Sequence, residues 1–385
     1  MKRIKFLMVA FMAAMMGMSF SSCSKDDEET SSNWEKYQKE VDAQVSKSKT
    51  KDNVILLVAF GSTWQQAYDT FAQVEADYKA NYSSNWDIYL AFSSAKCINE
   101  AAAGENADNA DHPTEVRQYY DPEHWLTAIG KAGYKQIVVQ SLQVIPGEEY
   151  RLVRDNYVKS FMNNRNQNFT ADYMHSIDKK VAIGAPLMAE EEDVEKLADV
   201  LLAESDVKAA LENNGIVAFM GHGNPVDYDY YGANVRYTQL EEAFQTKGQR
   251  CFVGTVDMED NFVDNVIERM AEKGITSGNV QLYPLMSIAG DHAHNDMADP
   301  EVYENEDDWS WYVVFNKKGF KATAYETNFA TPCWKNAEQI KKQGYIPALG
   351  ERKAVRKLWM NHTQAAIDAI KNGQGLSTPT TAPEE

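Results

Sequence analysis

Two histidines and one carboxylate stand where an α/β protein keeps its chemistry. Gly221-His222-Gly223 closes one apolar run, Asp257 follows the next, and His292 follows a third. Imidazole and carboxylate groups suit a borderline divalent metal such as cobalt, iron, nickel or zinc, and three protein groups leave coordination positions open. The flanking glycines let the backbone approach a bulky flat ligand. Gln143 and the Glu148-Glu149 pair close a further run. A lone histidine at a strand end is usually a hydrogen-bonded structural residue, but three such groups at matching positions make a shared metal an equal alternative. His294 lies two residues beyond His292. In an extended segment the two rings point to opposite sides, so one is a ligand and the other a wall. His112, His124, His175 and His362 stand in polar or helical context and read as surface residues.

The elements that must position these groups are legible as a rhythm. Asn53 to Phe60 is a continuous apolar run, the mark of a strand buried on both faces of a parallel sheet. Residues 64–82 then show helical spacing, with Ala67, Phe71, Val74 and Tyr78 on one side. Further strands are expected at 87–92, 136–144 and 180–185, and the pattern restarts at 215–220, 250–256, 280–286 and 319–326. Helices are expected over 260–273 and 353–372. Strands alternating with helices predict a parallel sheet flanked by helices, and two similar sets predict two Rossmann-like halves. In such sheets the ligand sits outside the carboxyl ends of the strands. Neither half has GxGxxG or GxxxxGK[ST] after its first strand, so nucleotide binding lacks its usual support.

The chain has 385 residues, 44% of them hydrophobic, which is ordinary globular composition. It carries 57 acidic and 38 basic residues, a formal charge of −19, which argues against gripping nucleic acid phosphates. Residues 1–5 are basic, 6–20 apolar, and Ser21-Ser22-Cys23 ends the segment with small residues. Basic, apolar and small in that order is a secretory signal, too short to span a membrane. Its end resembles a lipobox, which implies cleavage before Cys23 and acylation of that residue. The expected layout is a signal peptide over 1–22, a polar tether over 23–50 ending in a weak helix, an N-terminal half over 51–195, a C-terminal half over 196–372 carrying the metal site, and a disordered tail over 373–385. The expected location is the outer membrane, facing the periplasm or the outside, with the lipid bilayer as a partner. A homo-oligomer is left open. Cys97, Cys251 and Cys333 are expected to form no disulfide network.

Several strings occur together in a distinctive order. They are Val58-Ala-Phe-Gly-Ser62, Ala91-Phe-Ser-Ser94, Val139-Gln-Ser-Leu-Gln-Val-Ile-Pro-Gly-Glu-Glu-Tyr150, Gly184-Ala-Pro-Leu187, Phe219-Met-Gly-His-Gly223, Val253-Gly-Thr-Val-Asp257, Leu282 through Met297 with Gly290-Asp-His-Ala-His-Asn-Asp-Met297 at its core, and Ser310-Trp311. Over about residues 53–372 the sequence resembles the anaerobic-type sirohydrochlorin cobaltochelatases, relatives of the class II ferrochelatases. The resemblance implies a chelatase-like α/β fold with a tetrapyrrole cleft between the halves. It implies metal ligands His222, Asp257 and His292, and an active-site acid at Glu149. Co²⁺ is the implied metal, with Fe²⁺, Ni²⁺ and Zn²⁺ as alternatives. Two positions depart from the family pattern: Gln143 replaces a usual histidine and Asp257 a usual glutamate, one methylene longer.

The resemblance implies insertion of Co²⁺ into sirohydrochlorin, with His222, His292 and Glu149 as the catalytic groups. The alternatives are a tetrapyrrole- or haem-binding lipoprotein for uptake, or metal removal from a scavenged tetrapyrrole. The signal reading is tested directly. Cys23→Ala should move the protein from the membrane to the soluble fraction on cell fractionation, and unchanged partitioning would remove the lipid anchor.

Overall fold

The computed structural model describes residues 25–104, 116–326 and 345–378. The signal segment, Cys23, His112, Cys333 and residues 379–385 lie outside the described residues. The fold is α/β, with two four-stranded parallel sheets flanked by helices. The first sheet comprises β1 (Asn53–Ala59), β2 (Trp86–Phe92), β3 (Gln136–Ser141) and β4 (Val181–Gly184), in the order β2-β1-β3-β4. The second comprises β5 (Ile216–Gly221), β6 (Cys251–Thr255), β7 (Gly278–Leu285) and β8 (Phe320–Thr323), in the order β6-β5-β7-β8. The two windings are the same. Each reverses direction beside its first strand, which leaves a crevice at the carboxyl ends of β1/β3 and of β5/β7.

Alternation along the strands divides the apolar residues between cores. On β1, Val54, Leu56 and Val58 face an outer core with Trp125, Ile129 and Tyr134. Ile55, Leu57 and Ala59 face the opposite side. On β5, Ile216, Ala218 and Met220 likewise enter an outer core, while Val217 and Phe219 face inward. The two inward faces meet in one central core with Phe71, Leu197, Leu240 and Trp359 from the helices Gln65–Tyr82, Glu191–Ala203, Val235–Thr246 and Lys353–Lys371. The halves therefore share an interior. This is why both the inward and outward residues of β1 and β5 are apolar.

Four expectations are corrected. The closing helix, assigned to the C-terminal half over 196–372, returns to the first sheet. There Thr363 donates from Oγ1 to Gln140 Oε1 at 2.7 Å, and Trp359 Nε1 donates to the Gln143 carbonyl at 3.3 Å. The tether over 23–50 is instead largely a helix, Lys25–Ser48. Tyr37, Val41 and Val45 recur every four residues as one stripe, and both valines are fully buried against the first half. His124, expected on the surface, is buried beneath this helix, with Nδ1 2.9 Å from Asp121 Oδ2 and its ring 4.8 Å from that of Trp34. The start of the tail is also tied down, since Leu376 N donates to the Val181 carbonyl at 2.7 Å. Cys97 and Cys251 are free thiols, as expected, and none of the described helices is long and apolar enough to cross a membrane.

The junction between halves is locked by a buried ion pair. Arg352, at the head of the closing helix, donates from Nη1 and Nη2 to the two oxygens of Asp206 at 2.9 and 2.8 Å, and its guanidinium lies 5.1 Å from the Tyr283 ring centre. Arg352→Met would strand the Asp206 carboxylate and should cost about 3–5 kcal/mol, read by chemical denaturation at pH 7. Burial opposes ionisation of Asp206, but the Arg352 bonds prevail and hold its pKa below the ordinary value. The stabilisation is thus present above the unfolded carboxylate pKa of about 3.9 and is lost as pH falls through the lower folded value. Unchanged stability of the variant would show the pair to be idle.

Candidate metal and tetrapyrrole site

His222 begins where β5 ends. Gly221 packs directly against the Tyr237 ring, with no room for a side chain, and Tyr237 OH accepts a 3.3 Å bond from Gly223 N. Gly223 adopts φ +79° with Met258 and Thr255 beside it, a conformation and space that suit glycine. Beyond the ladder, Asp257 N donates to the His222 carbonyl at 2.9 Å, which fixes the end of β6 beside the end of β5. Asp257 Oδ2 then lies 3.6 Å from His222 Nδ1.

His292 opens a wide π-type turn, His292–Met297, so the case of an extended segment does not apply. The turn places Asp296 beside His292, with His292 Nδ1 2.6 Å from Asp296 Oδ2. It sends His294 to the other side, where its ring stacks on Trp64 of the first half at 3.7 Å and an interplanar angle of 4°. The Trp64 indole N–H also donates to Asp291 Oδ1 at 2.5 Å. His222 and His292 face each other edge to face, with ring centres 4.8 Å apart. Of the two histidines in this string, His292 joins His222 and His294 becomes a wall.

The hydrogen bonds assign the tautomers. His222 Nδ1 lies 2.7 Å from the Gly223 carbonyl oxygen, which can only accept, so Nδ1 carries the proton. His292 Nδ1 likewise donates to a carboxylate. Each neutral ring therefore keeps its Nε2 lone pair for a metal or a proton, and Asp296 orients its histidine as carboxylates behind metal-binding histidines do. Asp257 stands on the Nδ1 edge of His222 and acts on that ring through its charge. Among the described residues no three His, Cys, Asp or Glu side chains already enclose one point as a metal cage.

The first half supplies the opposite lip. Gly147 is pressed against the Asn224 side chain, where a Cβ would lie 2.7 Å from its amide nitrogen, so the Pro146-Gly147 turn meets the loop after His222. Glu148 and Glu149 open the short helix that follows and are partly buried. Burial is the largest influence on His222 and disfavours its charged form. The charges of Glu149 and Asp257, the Gly223 carbonyl and Asp296 outweigh it and raise the pKa above the usual imidazole value. Burial and the charge of Glu149 raise the pKa of Glu148. Gln143 is almost fully buried. Its Oε1 accepts from Ser141 Oγ, and its Nε2 has no hydrogen-bond partner among the described residues. Asp257 Oδ2 is also buried without a hydrogen-bond partner among them.

The loop after His222 continues toward the first half. Reciprocal bonds between Asn224 and Asn234 staple its base. Tyr231, at φ +66° and 63% exposed, reaches the first half, where its hydroxyl donates to Asp155 Oδ2 at 3.2 Å and accepts from Arg154.

Residues 53–368 match the model of a protein family described as cobalt chelatase (CbiK). The chain belongs to this family. It is similar to the sirohydrochlorin cobaltochelatase of Salmonella typhimurium, 25% identical over 82% of this chain and 96% of that protein. It is also similar to the sirohydrochlorin cobaltochelatase CbiKC of Nitratidesulfovibrio vulgaris, at 28% identity over 82% and 91%. Among solved structures, SirB from Bacillus subtilis with Fe3+ aligns at a TM-score of 0.47 and 14% identity, covering 86% of this chain and all of that one.

Of the expected residues, Asp257 and His292 stand beside His222, and the charge of Glu149 reaches that ring from the first half. The sequence reading missed Asp296, Asp291 and Trp64. The His-x-x-x-Asp spacing was the available signal for Asp296, but it has meaning only on a helical turn, and the segment was considered only as extended. By NMR titration of the metal-free protein, His222 should titrate above about 6.5. Asp257→Asn and Glu149→Gln should each lower that value by removing a negative charge. A His222 titration indifferent to both substitutions would contradict the charge arrangement.

Proposed function

We propose that the protein inserts Co²⁺ into sirohydrochlorin. The observation that carries this reading is the facing pair His222 and His292, at the carboxyl ends of the two strands beside the switch point, in a chain of the cobalt chelatase family. The metal is a substrate here. A free macrocycle holds two pyrrole protons that must leave as the metal enters, so the site needs both metal donors and proton acceptors. His222 and His292 offer Nε2 to Co²⁺, with Nδ1 held by the Gly223 carbonyl and by Asp296. Asp257 balances the metal's charge and completes the ligand set after turning toward it. Glu149 faces them from the other half, where a carboxylate can polarise a pyrrole N–H and receive its proton. The buried, unbonded Asp257 Oδ2 suits a site that receives a cation.

The remaining readings rest on sequence. The lipobox-like segment supports export and acylation at Cys23, which would put this chemistry at the outer membrane. Gln143 favours a second reading, capture of a tetrapyrrole without turnover, because an amide cannot accept a proton near neutral pH.

Purified protein mixed with sirohydrochlorin and Co²⁺ should produce the visible spectrum of the cobalt complex faster than the unaided reaction. His222→Ala and His292→Ala should each lose most Co²⁺ affinity, and Asp296→Asn should lose about 10–100-fold. Glu149→Gln should bind both substrates and insert far more slowly. Gln143→His should raise the insertion rate by about 10²-fold. Tight macrocycle binding with no insertion, unchanged by Gln143→His, would replace the enzyme with a carrier. Parent-like Co²⁺ binding by both histidine variants would place the metal elsewhere.

A further inference from the structure

Glu148, Glu149, Asp257 and Asp296 act by charge on or beside His222 and His292, and Asp291 accepts from Trp64 next to them, in a chain of formal charge −19. That field draws in a divalent cation and repels a polyanion. Sirohydrochlorin is ringed by acetate and propionate side chains, so on the tetrapyrrole reading the cleft needs a cation that meets carboxylates before the macrocycle reaches the acidic interior.

Arg154 has the placement and chemistry for this. The short helix Glu148–Arg151 runs directly into a π-type stretch, Leu152–Val158, so Arg154 follows the Glu149-Tyr150 pair by about one turn. Its guanidinium lies 5.8 Å from the Tyr150 ring centre and 4.7 Å from that of Tyr231, which comes from the loop after His222. Nε and Nη2 donate to the two oxygens of Asp155, each at 2.9 Å, and Nη2 also donates to the Tyr231 hydroxyl. Nη1 donates to no protein atom among the described residues, and about a third of the side chain is exposed. The group is held by contacts from both halves, Asp155 and Tyr150 on one side and Tyr231 on the other, while keeping a donor open to solvent. A pre-oriented guanidinium is the side chain best matched to a carboxylate.

We infer that Arg154, positioned by Asp155 and Tyr231, is the residue that recognises an acidic side chain of the macrocycle and so sets the enzyme's preference for a polycarboxylated tetrapyrrole. The inference rests on the tetrapyrrole reading of the cleft. Tyr231, held in a left-handed conformation that residues other than glycine seldom adopt, serves the same contact. Its bond to Arg154 joins the two halves, and an incoming carboxylate can replace the tyrosine hydroxyl on Nη2 while Asp155 keeps the guanidinium in place.

The test compares the parent, Arg154→Gln and Arg154→Lys as full chains, with sirohydrochlorin and with its methyl-esterified form in detergent. Arg154→Gln should raise KM for sirohydrochlorin by about tenfold or more, the scale of hydrogen bonds between charged groups, while kcat and the KM for Co²⁺ stay near the parent's. Arg154→Lys should recover part of the loss, and the esterified macrocycle should show no difference among the three proteins. An unchanged KM for sirohydrochlorin, or an equal loss on the esterified form, overturns the assignment. A parent that binds sirohydrochlorin without inserting cobalt, with binding by Arg154→Gln about tenfold weaker, sinks the insertion reading and keeps the anchor. A parent that inserts cobalt, with Arg154→Gln at the parent's KM, sinks the anchor alone.

Discussion

The central core shared by the two sheets is the constraint on which the site depends. The inward residues of β1 and β5 bury themselves in one interior rather than two, so neither sheet can turn relative to the other without exposing Phe71, Phe219, Tyr237 and Trp359. Protein interiors are close-packed and resist such sliding. The consequence lies at the carboxyl ends of the strands, where loops from one half reach the other at several places. Gly147 meets Asn224, Trp64 stacks on His294, and Arg154 with Asp155 meets Tyr231. A site assembled from both halves is therefore held at fixed separation by packing that lies well below it.

Within that frame, polarity is distributed by task. Carboxylates crowd the histidines, and their net effect favours a protonated His222 in the metal-free site. A raised folded pKa stabilises the protein below the unfolded imidazole value, and that contribution fades as pH rises through the folded value. A divalent cation can take over the neutralising role when the proton leaves, so metal and proton compete for the same ring. The same carboxylates oppose a polyanionic macrocycle, so on the proposed reading the cationic contact falls to Arg154, away from the imidazoles, and metal and macrocycle would meet opposite local charges.

The eight strands were legible because each is a short apolar run closed by small or polar residues, and the structure differs from the sequence reading only at their ends. The positions of His222, Asp257 and His292 followed from the same rule, since strand ends are where parallel sheets present side chains. The closing helix was not assignable to a half from pattern alone. Its apolar stripe says that it packs, and only the shared core decides that it packs beneath Gln140 and Gln143. The Lys25–Ser48 helix was obscured by its charge, because three buried positions suffice to dock it. His124 was misjudged for the same reason, since the helix that buries it was not expected there. The π-type turn at His292–Met297 has no signature in composition or spacing, and with it went the pairing of His292 with Asp296.

Gln143 constrains the chemistry of this chain more than its shape. The carbonyl of Gln143 accepts from Trp359, its amide oxygen accepts from Ser141, and its backbone N–H sits 3.3 Å from the same hydroxyl. The residue is thus pinned by the closing helix and by the end of β3. What remains is an amide nitrogen that can donate and cannot take a proton. Any proton released by a pyrrole must then pass to a group that titrates, and the crevice offers Glu149 from one half and the two imidazoles from the other. An imidazole bound to metal through Nε2, with Nδ1 already protonated, has no lone pair left for a second proton. On the proposed insertion reading, proton acceptance would then fall to the carboxylate of the opposite half, and the separation that the shared core enforces would become a separation between metal binding and proton removal.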